Sequence, residues 1–250
     1  MSRAIVGTIV LASASGLSFG QTRAIVNDRT NDAMYRFVDA NGNGFIDEPG
    51  EVNLWFNLAN APGTLGPMNP TCLAVSRRGV VVMGDQLNRN VYRLRDLNGD
   101  GDAQDAGESI VFADATNLSG VSFAFPTGAA FDSHGVAYVV NAGTTSGDDG
   151  IYRLVDLNND GDAQDLGEIT PFVTTGAFGP GNGPYSPQEI AFDRNDVCYL
   201  RNSSTGLHGI YRCEDLNHNG RADDAGEFTV FWDASNASGV AALAGFSLEI

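Results

Sequence analysis

The residues of this 250-residue chain best suited to chemistry are carboxylates and amides, set at fixed intervals in four thirteen-residue stretches. Two are nearly identical: DLNGDGDAQDAGE from Asp96 to Glu108 and DLNNDGDAQDLGE from Asp156 to Glu168. The other two are DANGNGFIDEPGE from Asp39 to Glu51 and DLNHNGRADDAGE from Asp215 to Glu227. Counted from its first aspartate, each has Asp at 1, Asn at 3, Asp or Asn at 5, Gly at 6 and Glu at 13. Side chains at 1, 3 and 5 of a tight loop project toward one centre, and Gly at 6 permits the sharp turn. A backbone carbonyl at 7 and a downstream carboxylate then complete an oxygen cage of the kind Ca²⁺ prefers. Mg²⁺ fits less well because it keeps its waters, and the loops offer no thiolate or imidazole set for zinc.

The candidate ligands in the second copy are Asp96, Asn98, Asp100, Asp102, Asp105 and Glu108. Those in the third are Asp156, Asn158, Asp160, Asp162, Asp165 and Glu168. The first copy supplies Asp39, Asn41, Asn43 and Glu51, and the fourth Asp215, Asn217, Asn219 and Glu227, with Arg221 at position 7. Asn at 5 removes a charge from the outer two, so the middle two are expected to bind most tightly. The pattern resembles the EF-hand loop, with a spacer before Glu of six residues where that loop has five. The closing ligand therefore stays open between Glu at 13 and the Asp or Gln at 9 or 10. The loops hold 18 of the 31 acidic residues. Two carboxylates about 4 Å apart repel by roughly 4 kcal/mol at an effective dielectric near 20, a strain that a cation between them relieves. The competing reading is an Asn-Gly or Asp-Gly turn that only links two strands.

The loops recur with a fold unit. Each follows a Tyr-Arg pair, and the tyrosines Tyr35, Tyr92, Tyr152 and Tyr211 are spaced 57, 60 and 59 residues apart. Ahead of the last three lie PTCLAVSRRGVVVM from Pro70, PTGAAFDSHGVAYVV from Pro126 and PQEIAFDRNDVCYL from Pro187. Each block reads as two short runs of β-branched and aromatic residues joined by a polar turn. A third run, the acidic loop and a fourth run complete the unit. Four strands in about 58 residues, repeated, predict an all-β chain with about four propeller blades of four antiparallel strands. The expected units are 22–57, 65–115, 122–175 and 183–234, within a domain spanning 21–250. No inner strand is evident ahead of residue 22, so Leu243–Ile250 is expected either to fill that place and close the ring or to leave a partial propeller.

Over residues 65–235 the blocks resemble those of secreted bacterial propellers with NHL-like or regucalcin-like blades. The resemblance implies the fold, and it raises a second reading as a hydrolase or lactonase with a channel metal. The inner strands offer Glu189, Asp132 and Asp193 for such a metal; the two aspartates sit at strand ends, and Glu189 alone is not a site. The histidines His134, His208 and His218 form no evident triad, so an enzyme is the less favoured reading. A third reading is an adhesion or scaffold module that binds a protein or glycan on one rim.

Composition narrows the partners. A formal charge of −17, with 14 basic residues that are all arginine, excludes nucleic acid and anionic membrane as expected partners. Residues 1–20, with Arg3 before an apolar run from Ala4 to about Phe19, have the layout of a secretory signal peptide cleaved after Gly20 or Ala14. The expected location is therefore secreted, periplasmic or on the cell surface. Cys72, Cys198 and Cys213 match no metal framework and read as buried core cysteines, although Cys198 and Cys213 fall on neighbouring strands that a bridge would join.

Overall fold

A computed structural model of the chain describes residues 9–11, 23–60, 69–142, 149–178, 186–204, 207–239 and 248. These residues form four antiparallel four-stranded sheets, each ordered as its strands follow one another in the chain. Blade 1 contains β1 (Ile9–Leu11), β2 (Arg23–Asp28), β3 (Ala33–Val38) and β4 (Val52–Asn57). Blade 2 contains β5 (Pro70–Val75), β6 (Val81–Asp85), β7 (Asn90–Leu94) and β8 (Ser109–Ala113). Blade 3 contains β9 (Pro126–Phe131), β10 (Ala137–Asn141), β11 (Gly150–Leu154) and β12 (Ile169–Thr174). Blade 4 contains β13 (Pro187–Phe192), β14 (Cys198–Asn202), β15 (Gly209–Cys213) and β16 (Phe228–Asp233). One 3₁₀ turn, Thr175–Phe178, is the sole helical element among the described residues, and no helix there is long and apolar enough to cross a membrane.

Both faces of blades 2 and 3 are covered by their neighbours, so their central strands are apolar throughout where a one-sided sheet would alternate. Every residue of β6 and of β10 is buried. The cores lie between blades. Met34, Trp55 and Phe56 of blade 1 pack on Leu73, Met83 and Tyr92 of blade 2. Val82, Val91 and Phe112 pack on Ala129, Val139 and Tyr152 of blade 3. Tyr138, Val140 and Phe172 pack on Leu200, Tyr211 and Cys213 of blade 4. The Tyr-Arg tyrosines of blades 2 to 4 are therefore inter-blade core residues, and all three cysteines are free and buried. Cys198 lies directly opposite Cys213 across β14 and β15.

Every outer strand carries a β-bulge at the same place. Tyr92 pairs with Val111 and Val91 with Ala113, which leaves Phe112 as the extra residue. The same shift isolates Trp55 in β4, Phe172 in β12 and Phe231 in β16. A bulge re-aims a side chain and frees a backbone group from the ladder. In blades 1 to 3 it turns an aromatic ring and its carbonyl toward the next blade.

Blade 1 differs from expectation at its inner edge. That place, which the sequence left for Leu243–Ile250, is held by Ile9–Leu11, paired antiparallel with Val26, Ile25 and Ala24. A short β-branched apolar run satisfies an open sheet edge as readily as it satisfies the core of a leader, and periodicity over three residues does not separate the two. Apart from Leu248, the tail lies outside the described residues, as do most of residues 1–20.

Candidate metal centre

Each acidic stretch is the hairpin between the third and fourth strands of its blade, as expected. Its backbone is wound by its own side chains. In the second loop the two Asp96 oxygens accept the N–H groups of Gly99 (2.6 Å) and Gly101 (3.0 Å). Asn98 Oδ1 accepts from Asp100 (2.9 Å), Asp100 Oδ1 from Asp102 (3.1 Å) and Asp102 Oδ1 from Gln104 (2.9 Å). The third loop repeats this ladder through Asp156, Asn158, Asp160 and Asp162. Asp39, Asn41 and Asn43 do the same in the first loop, and Asp215, Asn217 and Asn219 in the fourth. Such turns keep short side chains on one side of the loop. Position 6 is a glycine at positive φ in all four copies, from +85° at Gly44 to +111° at Gly161. At Gly101 a Cβ would also collide with the guanidinium of Arg36 from the preceding blade.

The glutamate at position 13 has a role of its own. Glu51, Glu108, Glu168 and Glu227 are all buried, and their carboxylates accept backbone N–H groups at the base of the loop. Glu108 Oε1 accepts from Leu97 (2.7 Å) and Asn98 (3.2 Å), and Oε2 from Asp105 (3.1 Å). Glu168 and Glu227 bind the same three positions. Glu51 accepts from Ala40, Asp47 and Glu48, and the bond from Glu48 is the main force lowering its pKa. Position 10 instead faces the open side. Asn98 Nδ2 donates to both Asp100 (3.0 Å) and Asp105 (2.6 Å), and Asn158 likewise joins Asp160 (2.9 Å) to Asp165 (2.5 Å). In the fourth loop Asn217 and Asn219 both donate to Asp224.

Charge is crowded on that side. Burial raises the pKa of Asp105, and the charges of Asp100, Glu108 and Asp102 add to it. Asp162 is raised by burial, with Asp160, Glu168 and Asp165 contributing. Asp100 and Asp160 are lowered, chiefly by the amides of Asn98 and Asn158. The donor set is oxygen throughout, and its chemistry fits a hard cation. Asp96 keeps acceptor capacity, since two carboxylate oxygens have about four lone-pair sites and only two are taken. Among the described residues, however, no three His, Cys, Asp or Glu side chains converge closely enough to form a ready metal cluster.

The loops are also mortised into the preceding blade, which periodicity alone does not reveal. The alanine at position 8 is fully buried, and its N–H donates to the bulge carbonyl before it. Ala103 bonds to Trp55 (2.8 Å), Ala163 to Phe112 (2.8 Å) and Ala222 to Phe172 (2.7 Å). Position 9 reaches back as well: Asp223 accepts both the N–H (3.0 Å) and the hydroxyl (2.6 Å) of Thr174. Two Tyr-Arg arginines span the same junctions. Arg36 donates to the Gly101 carbonyl (2.9 Å), and Arg93 pairs with Asp156 (3.5 Å) while lying over the Phe112 ring.

Elsewhere, Asp132 and Asp193 cap their own turns. Ser133 and His134 of blade 3 meet Asp196 of blade 4 at the surface, a staple between blades. Glu189 lies buried on the inner strand β13, opposite Arg201 and against Gly128, with burial pushing its pKa up to about 8. A cleft of about 340 Å³ between blades 2 and 3 is lined by Arg77, Arg78, Arg93, Asp132 and His134.

No family model matches the chain, and no curated protein matches it. Among solved structures it is similar to a catalytically inactive virginiamycin B lyase from Staphylococcus aureus with quinupristin. The TM-score is 0.50 at 14% identity, covering 94% of this chain and 62% of that one. It is also similar to a protein assigned as a gluconolactonase, with TM-score 0.51 at 13% identity over 90% of this chain and 67% of that one. A streptogramin B lyase gives 0.47 at 16% identity, over 88% and 63%. The chain spans about two thirds or less of the length of these structures, and the likeness to the first two, with the chain's four four-stranded sheets, shows a β-propeller fold.

Proposed function

We propose that the chain is an exported calcium-binding propeller whose loops take up the cation on their open side and fix the blades in place. The observation that carries the reading is the pairing of like-charged carboxylates around one amide, Asp100 with Asp105 and Asp160 with Asp165, at equivalent places in successive blades. Asp96, Asn98, Asp100, Asp105 and the carbonyl of Asp102 would hold the ion in the second loop. Asp156, Asn158, Asp160, Asp165 and the carbonyl of Asp162 would hold it in the third. Bound Ca²⁺ supplies the positive charge that these carboxylates lack; Glu108 and Glu168 hold the loop backbone beneath. Because the loops of blades 2 to 4 are docked on the preceding blade, ordering one of them orders a junction.

The test is a thermal melt in chelator, in Mg²⁺ and in Ca²⁺. At 100 times the dissociation constant one site adds about 2.7 kcal/mol, or roughly 5–11 °C for a chain of this size. No shift at millimolar Ca²⁺ would sink the reading. Export rests on the apolar run after Arg3, and cleavage after Gly20 would remove β1; N-terminal sequencing of the exported protein checks it. The second reading, channel hydrolysis as in a lactonase, is favoured by buried Glu189 with its raised pKa. Lactone turnover abolished by Glu189→Gln would support that reading.

A further inference from the structure

Among the described residues the junction between blades occurs three times, and its two halves are left over on blades 4 and 1. One half is the bulge aromatic of an outer strand. Trp55, Phe112 and Phe172 are 3–5% exposed beneath the next blade's loop, whereas Phe231 of blade 4 is 61% exposed and its neighbour Val230 55%. The other half is position 8 of a loop. Ala103, Ala163 and Ala222 are 0% exposed, whereas blade 1 has Ile46 there at 37%, beside Phe45 at 67%. Two of the three arginines at the internal junctions fit the same pattern. Arg36 and Arg93 reach the next loop, while Arg212 of blade 4 folds back onto Glu214 of its own blade.

We propose that a second copy of this chain occupies both faces, the blade 4 face of each copy docking on the blade 1 loop of the other. Ile46 would then donate its N–H to the Phe231 carbonyl as Ala103 does to Trp55, and Arg212 would reach the Gly44 carbonyl as Arg36 reaches that of Gly101. Ile46 and Phe45 bring more apolar surface to this junction than the alanines they replace, as suits a contact between separate chains. Head-to-tail contacts form a closed ring when the rotation between copies closes. Two four-bladed arcs make an eight-bladed ring, at the upper end of the usual range. Among the described residues both faces are exposed.

Light scattering after size exclusion, across micromolar concentrations of the full chain, decides it. The expected mass is about twice 26.3 kDa. Ile46→Glu and Phe231→Glu should each weaken association at least tenfold, with circular dichroism reporting the fold. Mixing the two variants should restore dimers through the one intact junction, a rescue that a folding defect does not give. A monomer throughout, open-ended oligomers, or a dimer indifferent to both substitutions would each overturn the proposal.

Discussion

Replacing Glu168 separates a structural clasp from a cation ligand. Its carboxylate is 1% exposed and accepts two well-formed backbone bonds, from Leu157 at 2.7 Å and Asp165 at 3.0 Å, with a third at 3.4 Å from Asn158. A hydrogen bond to a charged group contributes about 1.5–3 kcal/mol, so the two good bonds set a ceiling of roughly 3–6 kcal/mol. Water reaching this surface hairpin recovers part of it, and Glu168→Ala is expected to cost about 3 kcal/mol. Glu168→Gln keeps one oxygen for Leu157 but turns an NH₂ toward the Asp165 N–H, and should cost about half as much. Urea unfolding in chelator and in Ca²⁺ reads both variants. A clasp loses stability in chelator already, whereas a pure ligand would do so only when Ca²⁺ is present. Asp165→Asn should behave the opposite way, nearly neutral in chelator and deficient in the Ca²⁺-induced gain. If Glu168→Ala stays within 0.5 kcal/mol of the parent in chelator, the clasp is wrong.

Ala163→Leu forces a larger side chain into the fully buried seat against Phe112, and should destabilise the chain by about 1–3 kcal/mol in the same unfolding assay; a neutral result would dissolve the mortise. Burial raises Glu189 from 4.5 to about 8, so its protonated form is favoured in the folded state. The associated stability is full below pH 4.5 and is lost as pH rises through 8, on the order of 5 kcal/mol relative to Glu189→Gln; parallel pH profiles for the two proteins would refute it. Burial also pushes the Cys72 and Cys198 thiols up. All three cysteines should be inert to a thiol reagent until denaturant is added and then react together; two missing thiols would mean a Cys198–Cys213 bridge.

The repeat was legible because turn chemistry and strand order recur together, and the four hairpins fall where the Tyr-Arg pairs put them. What escaped the sequence is contact between units. Ala103, Ala163 and Ala222 look like filler inside an acidic run, and nothing local marks them as donors to Trp55, Phe112 and Phe172, which lie about 50 residues earlier. The buried Asp85, Asn141 and Asn202 at the ends of second strands were missed for a similar reason. Asn141 ties Ser122 and Phe125 across a connecting loop whose sequence varies from blade to blade. A glycine at position 12 is at positive φ in every loop, from +85° to +90°, and its regular spacing was the available signal. Glu at 13 was visible as a charge, but a carboxylate that binds backbone and one that binds a cation have the same letter.

The mortised loops also bear on how a cation would act. Asp156 sits at position 1 of the third loop and pairs with Arg93 of blade 2, while Ala163 in the same loop bonds to Phe112. An ion held by Asp156 and Asp160 competes with Arg93 for the Asp156 carboxylate, yet it fixes the segment that delivers Ala163 to its seat. Exposed ion pairs are worth at most about 1 kcal/mol, whereas a fully buried backbone bond left unmade costs about 1–3 kcal/mol. The second effect is the larger, so cation uptake should tighten the junction even where it loosens the arginine. The blades on either side of an occupied loop should then unfold as one unit, and that coupling needs no contact beyond the bond from loop to bulge.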